Sequence, residues 1–177
     1  MKKMILFLLS LSGVLLYGET PSTETLSVYT DGAFNKVYGH GWWLNRRVSS
    51  KAKASIVKEG SNAMLKIEVG EKGSAHICSD NSFELDRKGT LHVSVKVKGE
   101  GTFNCGIYAY AAKNRFISSY AGKPVPVKTA EWTTLKFSYP LANVRKDGVT
   151  GKIVLFQSRK GTLLVDDIQC VMTRSVE

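Results

Sequence analysis

The sequence predicts an all-β chain, an antiparallel sandwich or barrel, on three observations. Apolar series of period two recur along it, as where Leu91, Val93, Val95 and Val97 alternate with His92, Ser94, Lys96 and Lys98, the pattern of a half-buried strand. Turn residues separate these series at regular spacing. No window carries an apolar stripe of helical period over two or more turns. About ten short strands divided by turns fit a sandwich or barrel better than any helical or mixed class.

Residues 1 to 18, MKKMILFLLSLSGVLLYG, place two lysines before a short apolar run that ends in small and polar residues. This is the form of a secretory signal peptide. A retained membrane anchor is the alternative, because cleavage after Gly18 puts Leu16 where a smaller residue is preferred. No cysteine follows the run, which argues against a lipoprotein. Cleavage leaves 159 of the 177 residues, with a polar flexible leader over 19–25 and one domain over 26–174, long enough to bury a core. The expected location is the periplasm or outside the cell, with no membrane contact after cleavage and a monomeric state.

In chain order, Leu26 to Thr30 reads as a strand closed by the Asp31-Gly32 turn signal. Strands follow from Gly41-Trp42-Trp43-Leu44-Asn45 and over Ala52 to Lys58. In an extended segment Trp42 and Trp43 face opposite ways, so one is core and the other is available to solvent. Met64 to Val69 alternates up to Gly70-Glu71-Lys72-Gly73, read as a turn, and Ala75 and Ile77 continue the period beyond it. Phe83 and Leu85 precede the central stretch. After that stretch, Pro126 between Val125 and Val127 argues for an edge strand. Trp132 to Tyr139, Ile153 to Phe156 and Leu163 to Met172 complete the set.

The central stretch, Gly89 to Ala112, reads as a hairpin. Its apolar series resumes after Gly99-Glu100-Gly101 as Phe103, Cys105, Ile107, Ala109 and Ala111. Opposed residues of a hairpin share a face. A three-residue loop therefore pairs Val97 with Phe103 and Val93 with Ile107, with Gly101 supplying the left-handed position. The second face then sets His92 beside Tyr108 and Lys96 beside Asn104. Tyr110 shares that face, and Arg115 and Tyr120 follow in the next segment.

The formal charge of +10 falls to +8 without Lys2 and Lys3. A basic exported protein suits anionic partners such as acidic polysaccharide, lipid headgroups or nucleic acid. The cations are scattered, however, with only pairs such as Arg46-Arg47 and Arg145-Lys146, so no nucleic-acid partner is expected. Cys78, Cys105 and Cys170 make an odd count, which leaves at least one free thiol. Cys105 and Cys170 fall in apolar series and read as small core hydrophobes; a Cys78–Cys105 bridge stays open. His40, His76 and His92 form no zinc spacing.

Four motifs in order carry a resemblance over residues 26–172: Asp31-Gly32-Ala33-Phe34-Asn35 with Gly41-Trp42-Trp43-Leu44; the strand Leu91 to Lys98; Thr129-Ala130-Glu131-Trp132-Thr133; and Gly161-Thr162-Leu163-Leu164-Val165-Asp166-Asp167-Ile168. They resemble the β-jelly-roll carbohydrate-binding modules of the galactose-binding-domain-like superfamily, the type appended to bacterial xylanases and cellulases. The resemblance implies a jelly-roll sandwich, a carbohydrate ligand and a structural calcium ion held by Asp31, Asn35 and Asp167. Here one carboxylate of the family's pattern is displaced and another is absent. Asp166 and Asp167 simply hydrogen-bonding the first turn is the alternative.

The expected function is non-catalytic binding of a poly- or oligosaccharide on an aromatic-lined sheet face. Its candidate residues are Tyr108, Tyr110, His92, Asn104, Trp43, Arg115 and Tyr120. Aromatic rings cover the apolar faces of sugars while amides and charged groups meet the hydroxyls. The tyrosines lying buried under a covering loop is the competing reading. A glycosidase needs two converging carboxylates, and the expected face has none. A lyase using His92 and Tyr108 as base and acid is weaker, and a structural or adhesive protein-binding sandwich is the main alternative.

Overall fold

The computed structural model describes residues 22–29, 34 and 41–176. The signal segment, the Asp31-Gly32 turn, Asn35 and His40 lie outside them. Among the described residues nine strands form: β1 (Ser22–Tyr29), β2 (Trp42–Leu44), β3 (Ser50–Glu59), β4 (Asn62–Ser79), β5 (Phe83–Glu84), β6 (Gly89–Ala111), β7 (Arg115–Ala121), β8 (Val125–Pro140) and β9 (Thr150–Val176). All pairings are antiparallel. Among the described residues the only helical pieces are two 3₁₀ turns, Ala112–Asn114 and Leu141–Asn143. The all-β sandwich expected from the sequence is the observed fold.

The strands are fewer and longer than the period suggests. β4, β6 and β9 run 18, 23 and 27 residues, against a usual strand of about 5–6. They lie side by side with β9 in the middle. Each shifts register near its centre, between Val69 and Ser74 in β4 and between Glu100 and Thr102 in β6. Such bulges bend a strand and increase its twist. Phe137 pairs with Val93, and Phe103 lies ten residues further along β6, about 33 Å away if the strand were straight. The two rings are 6.2 Å apart. The sheet therefore folds over at this waist, and one set of long strands supplies both layers. The Tyr139 hydroxyl crosses between the layers to donate to the Cys105 carbonyl.

The Gly89–Ala112 hairpin is corrected by this arrangement. Val97 and Phe103 do not pair; Val97 meets Thr133 and Val165, and Phe103 meets Val125 and Gln157. An odd-length loop and an unbroken strand preserve the same parity, so Leu91 through Ala111 remains one inward series in either case. The left-handed glycine is Gly99 (φ 119), not Gly101, and a Cβ there would sit 2.2 Å from the Thr162 carbonyl oxygen. Gly161 returns the approach, with a Cβ position 2.0 Å from the Glu100 carbonyl oxygen. β6 and β9 cross closely enough at the waist to exclude side chains. The hairpin that does form joins β6 to β7, with Ala111 opposite Arg115 and left-handed Lys113 and Asn114 in the turn.

Two further expectations change. The Gly70–Gly73 turn is a bulge inside β4. Ser22 to Thr25, read as leader, pair with Thr173 to Val176. Pro126 lies in β8, which among the described residues pairs only with β6, in keeping with an edge strand. The core holds the inward series of β4, β6 and β9 with Trp42, Phe137, Tyr139 and Leu141. All three cysteines are buried and free. Cys105 belongs to this core, and Cys78 to a separate small cluster on the outer face, so the sheet itself stands between the two and they cannot bridge.

Candidate functional site

Beyond the waist, the outward series of β4, β6 and β9 is unusually apolar for a solvent-side face. Cys78, Tyr108 and Val154 are buried together, with Tyr110 and Phe156 packed against them. The register explains the grouping: β9 sets Val154 between Cys78 and Gly106, and Phe156 between His76 and Asn104. A Cβ at Gly106 would sit 2.2 Å from the Tyr120 carbonyl oxygen, so glycine there lets β7 approach that row closely.

The rings interlock edge to face. Phe116 stands 5.4 Å from Tyr108 at 75° and 5.8 Å from Tyr110 at 72°. The His76 imidazole lies 4.8 Å from Phe156 at 76°, and its Nδ1 is 2.6 Å from the Tyr108 hydroxyl oxygen. Burial lowers the His76 pKa and pushes the Tyr108 phenol up to about 12, so the pair is neutral near pH 7. Tyr108 is only 5% exposed. It is floor rather than stacking platform, which fits the reading of tyrosines beneath a cover.

Above this floor opens a groove of about 720 Å³. Trp43, Tyr108, Tyr110 and Phe116 supply its rings, and Asn45, Arg46, Arg47 and Asn114 its polar groups. Trp43 is 39% and Phe116 52% exposed, while Trp42 is core, so the Trp-Trp pair divides as its extended segment requires. The Asn45–Ser49 turn is pinned to β4. Asn45 N–H donates to the His76 carbonyl (2.9 Å), and the Asn45 carbonyl accepts from Val48 and Ser49 N–H (3.2 and 2.9 Å). Asn45 Oδ1 accepts from Arg47 N–H (3.2 Å), and Ser49 Oγ accepts from His76 N–H (3.0 Å). The turn carrying both arginines is thus tied to the strand whose histidine holds Tyr108.

Of the seven sequence candidates, the fold gathers Trp43, Tyr108 and Tyr110. His92 lies on the other side of the waist, bonded to Ser138 Oγ (3.0 Å) and Thr173 Oγ1 (2.9 Å), because the hairpin that would have carried it to Tyr108 does not form. Asn104 is buried, donating to the Gly122 carbonyl (2.7 Å) and accepting from Cys105 N–H (2.8 Å). Arg115 pairs with Asp147 (3.2 Å). The Tyr120 hydroxyl accepts from Arg145 N–H (2.9 Å) beside a different depression, with Ile107 and Tyr139. Sequence reasoning missed Phe116, His76, Asn114 and the Arg46-Arg47 turn. The signal for the last was its place directly after the Trp-Trp strand.

Of the expected calcium ligands, Asp31 and Asn35 lie outside the described residues. Asp167 forms an ion pair with Lys96 at 2.6 Å, and Asp166 accepts from Asn62 Nδ2 at 2.8 Å. Among the described residues no three His, Cys, Asp or Glu side chains gather. A hard cation favours several carboxylate oxygens; of the three expected ligands only Asp167 lies among the described residues, and it is already paired with Lys96. Nothing in the function is routed through the ion.

No family model matches the chain, and no curated protein matches it in sequence. Solved structures do match, among them CBM22, CBM11 and CBM4 modules at 12–17% identity. The CBM22-1 xylan-binding domain of Paenibacillus barcinonensis Xyn10C superposes with a TM-score of 0.53 at 14% identity, covering 89% of this chain and 98% of that one. A cyclase from Fischerella sp. TAU reaches 0.61 at 11% identity, covering 87% and 100%. The enzymatically active domain of bacteriophage CBA120 tailspike protein 4 reaches 0.56 at 11% identity, over 81% of this chain but only 21% of the tailspike chain. At such identities the likeness is one of fold. That fold is the β-sandwich of carbohydrate-binding modules, and it also serves enzymes.

Proposed function

We propose that the chain is an exported, non-catalytic carbohydrate-binding module that takes a poly- or oligosaccharide in the groove between Trp43 and Phe116. The observation that carries this is the pair of exposed rings flanking a ring-lined floor, with Asn45, Asn114 and two arginines at the edge. Aromatic faces meet the C–H faces of a sugar, and the polar rim meets its hydroxyls. Among the described residues lining the groove there is no Asp or Glu, which supports binding over glycoside hydrolysis. The carbohydrate-binding modules of the same fold support the ligand class.

Trp43→Ala and Phe116→Ala test the reading by affinity electrophoresis in gels containing plant and algal polysaccharides. Both are expected to abolish retardation while shifting stability by about 0.5 kcal/mol or less, as exposed sites do. A wild-type protein that no polysaccharide retards would overturn the carbohydrate reading in favour of a protein-binding sandwich. Export is tested by the mass of the protein released from cells, expected to begin at Glu19. A calcium ion across Asp31, Asn35 and Asp167 is a separate proposal, tested by chelation.

A further inference from the structure

The arginines at the groove edge differ from three others in this molecule. Arg115 and Arg145 bond Asp147, and Arg174 bonds both Glu24 and Asp86. Arg46 and Arg47 are exposed, and among the described residues no carboxylate pairs with either. They are adjacent in a turn fixed by the four hydrogen bonds converging on Asn45, so their backbones are positioned before any ligand arrives. Among the described residues lining the groove beside them there is no acidic side chain. Two like charges held together without a counter-charge favour an anion. The planar guanidinium fork matches a carboxylate or sulfate with two parallel hydrogen bonds, stronger than neutral ones. A neutral sugar would use the rings and leave this charge unanswered.

We propose that the ligand of this groove is an acidic polysaccharide, whose ring carboxylates or sulfate esters meet Arg46 and Arg47 while its sugar faces lie on Trp43 and Phe116. The inference rests on the carbohydrate reading and narrows it to one chemical class. It does not follow from net charge, because the remaining cations are dispersed and many are already paired.

The test compares retardation in gels of polygalacturonate, dextran sulfate and neutral xylan. At low salt the wild type is expected to bind one of the acidic polymers roughly tenfold or more tightly than xylan, with the gap closing as added salt screens the ion pairs. Which acidic polymer is retained distinguishes carboxylate from sulfate. R46Q/R47Q should lose about tenfold on that polymer at an unchanged melting temperature. K128Q/K136Q, which removes two exposed cations from β8, should bind it as the wild type does. Equal loss in both double variants would reduce the effect to overall charge and overturn the proposal. Retention by xylan as strong as by the acidic polymers would also overturn it, leaving carbohydrate binding intact. No retention by any polymer would remove both.

Discussion

The two ends of β6 carry the same inward series and opposite outward ones. Before the waist the outward side chains include His92, Ser94, Lys96 and Lys98, and three of them are bonded to other strands: His92 to Ser138 and Thr173, Lys96 to Asp167, Lys98 to Glu59. Beyond the waist the outward side chains include Tyr108 and Tyr110, roofed by a ring that is itself half in water. A face whose polar groups pair with one another has little left to offer a ligand. A face of rings with open edges, rimmed by unpaired cations, still has surface to bury. The proposed binding is therefore a property of one end of a strand and not of a sheet, and the waist is what keeps the two ends distinct.

The comparison breaks most severely at Tyr108. Its ring touches Phe116, Phe156 and His76 and is almost wholly buried. Tyr108→Ala is expected to cost about 3–5 kcal/mol in a denaturant titration, as buried aromatic truncations do. A loss within ~0.5 kcal/mol would return Tyr108 to the surface. Its partner gives the same region a pH dependence. Burial holds the His76 pKa below the ordinary 6.5, so the folded state prefers the neutral ring. The unfolded chain then binds more protons between the folded value and 6.5. Stability is complete above 6.5 and declines as pH falls toward the folded value, below which the deficit is constant. His76→Gln should flatten that decline, read from unfolding curves across the window; an unchanged slope would assign it to other groups.

Next in size is the waist. Gly161→Ala places a Cβ against the Glu100 carbonyl and forces a left-handed backbone on alanine, at a cost of order 1–3 kcal/mol. Because both layers hinge there, polysaccharide retention should fall with stability. A variant as stable as wild type would mean the crossing can open without loss. Smaller still is His92→Ala. Removing its two side-chain hydrogen bonds should cost about 1 kcal/mol and leave retention unchanged. Loss of binding without loss of stability would move the site across the waist.

These effects follow the line between what the sequence shows and what it hides. Period two identifies the strands and the inward residues from Leu91 to Ala111, because alternation reports burial directly. It is silent on whether Gly99-Glu100-Gly101 turns the chain back, since a bulge and a three-residue loop preserve the same parity. That choice is made by β9, whose 27 residues pair along both halves of β6. Asp167 (φ 47) resets β9's own alternation, from Val165 to Ile168, at the point where its register with β6 shifts between Ser94 and Lys96. Trp43 was legible as one of two opposed rings. Phe116 was not, because its place over Tyr108 depends on a turn in which Lys113 and Asn114 both adopt left-handed backbone. The Arg46-Arg47 pair was visible as charge, but its address beside His76 depends on β2 pairing with β4.

The smallest expected effect concerns Asp167, on the quiet side of the comparison. Its carboxylate and the Lys96 ammonium are each about half exposed, and surface pairs of this kind contribute little to stability. Calcium bound there would have to displace that lysine, so its stabilisation of the native state by mass action should be slight in the wild type. Lys96→Met frees the carboxylate and should enlarge it, while Asp167→Ala should abolish it. Melting temperatures with calcium and with chelator, taken on all three proteins, decide the matter. If the ion binds, the response is ordered Lys96→Met, then wild type, then Asp167→Ala with none. If none of the three responds, the metal expected from the family resemblance is absent. The Lys96–Asp167 pair then does what calcium would have done, fixing the bulge of β9 against β6 on the face where no ligand is needed.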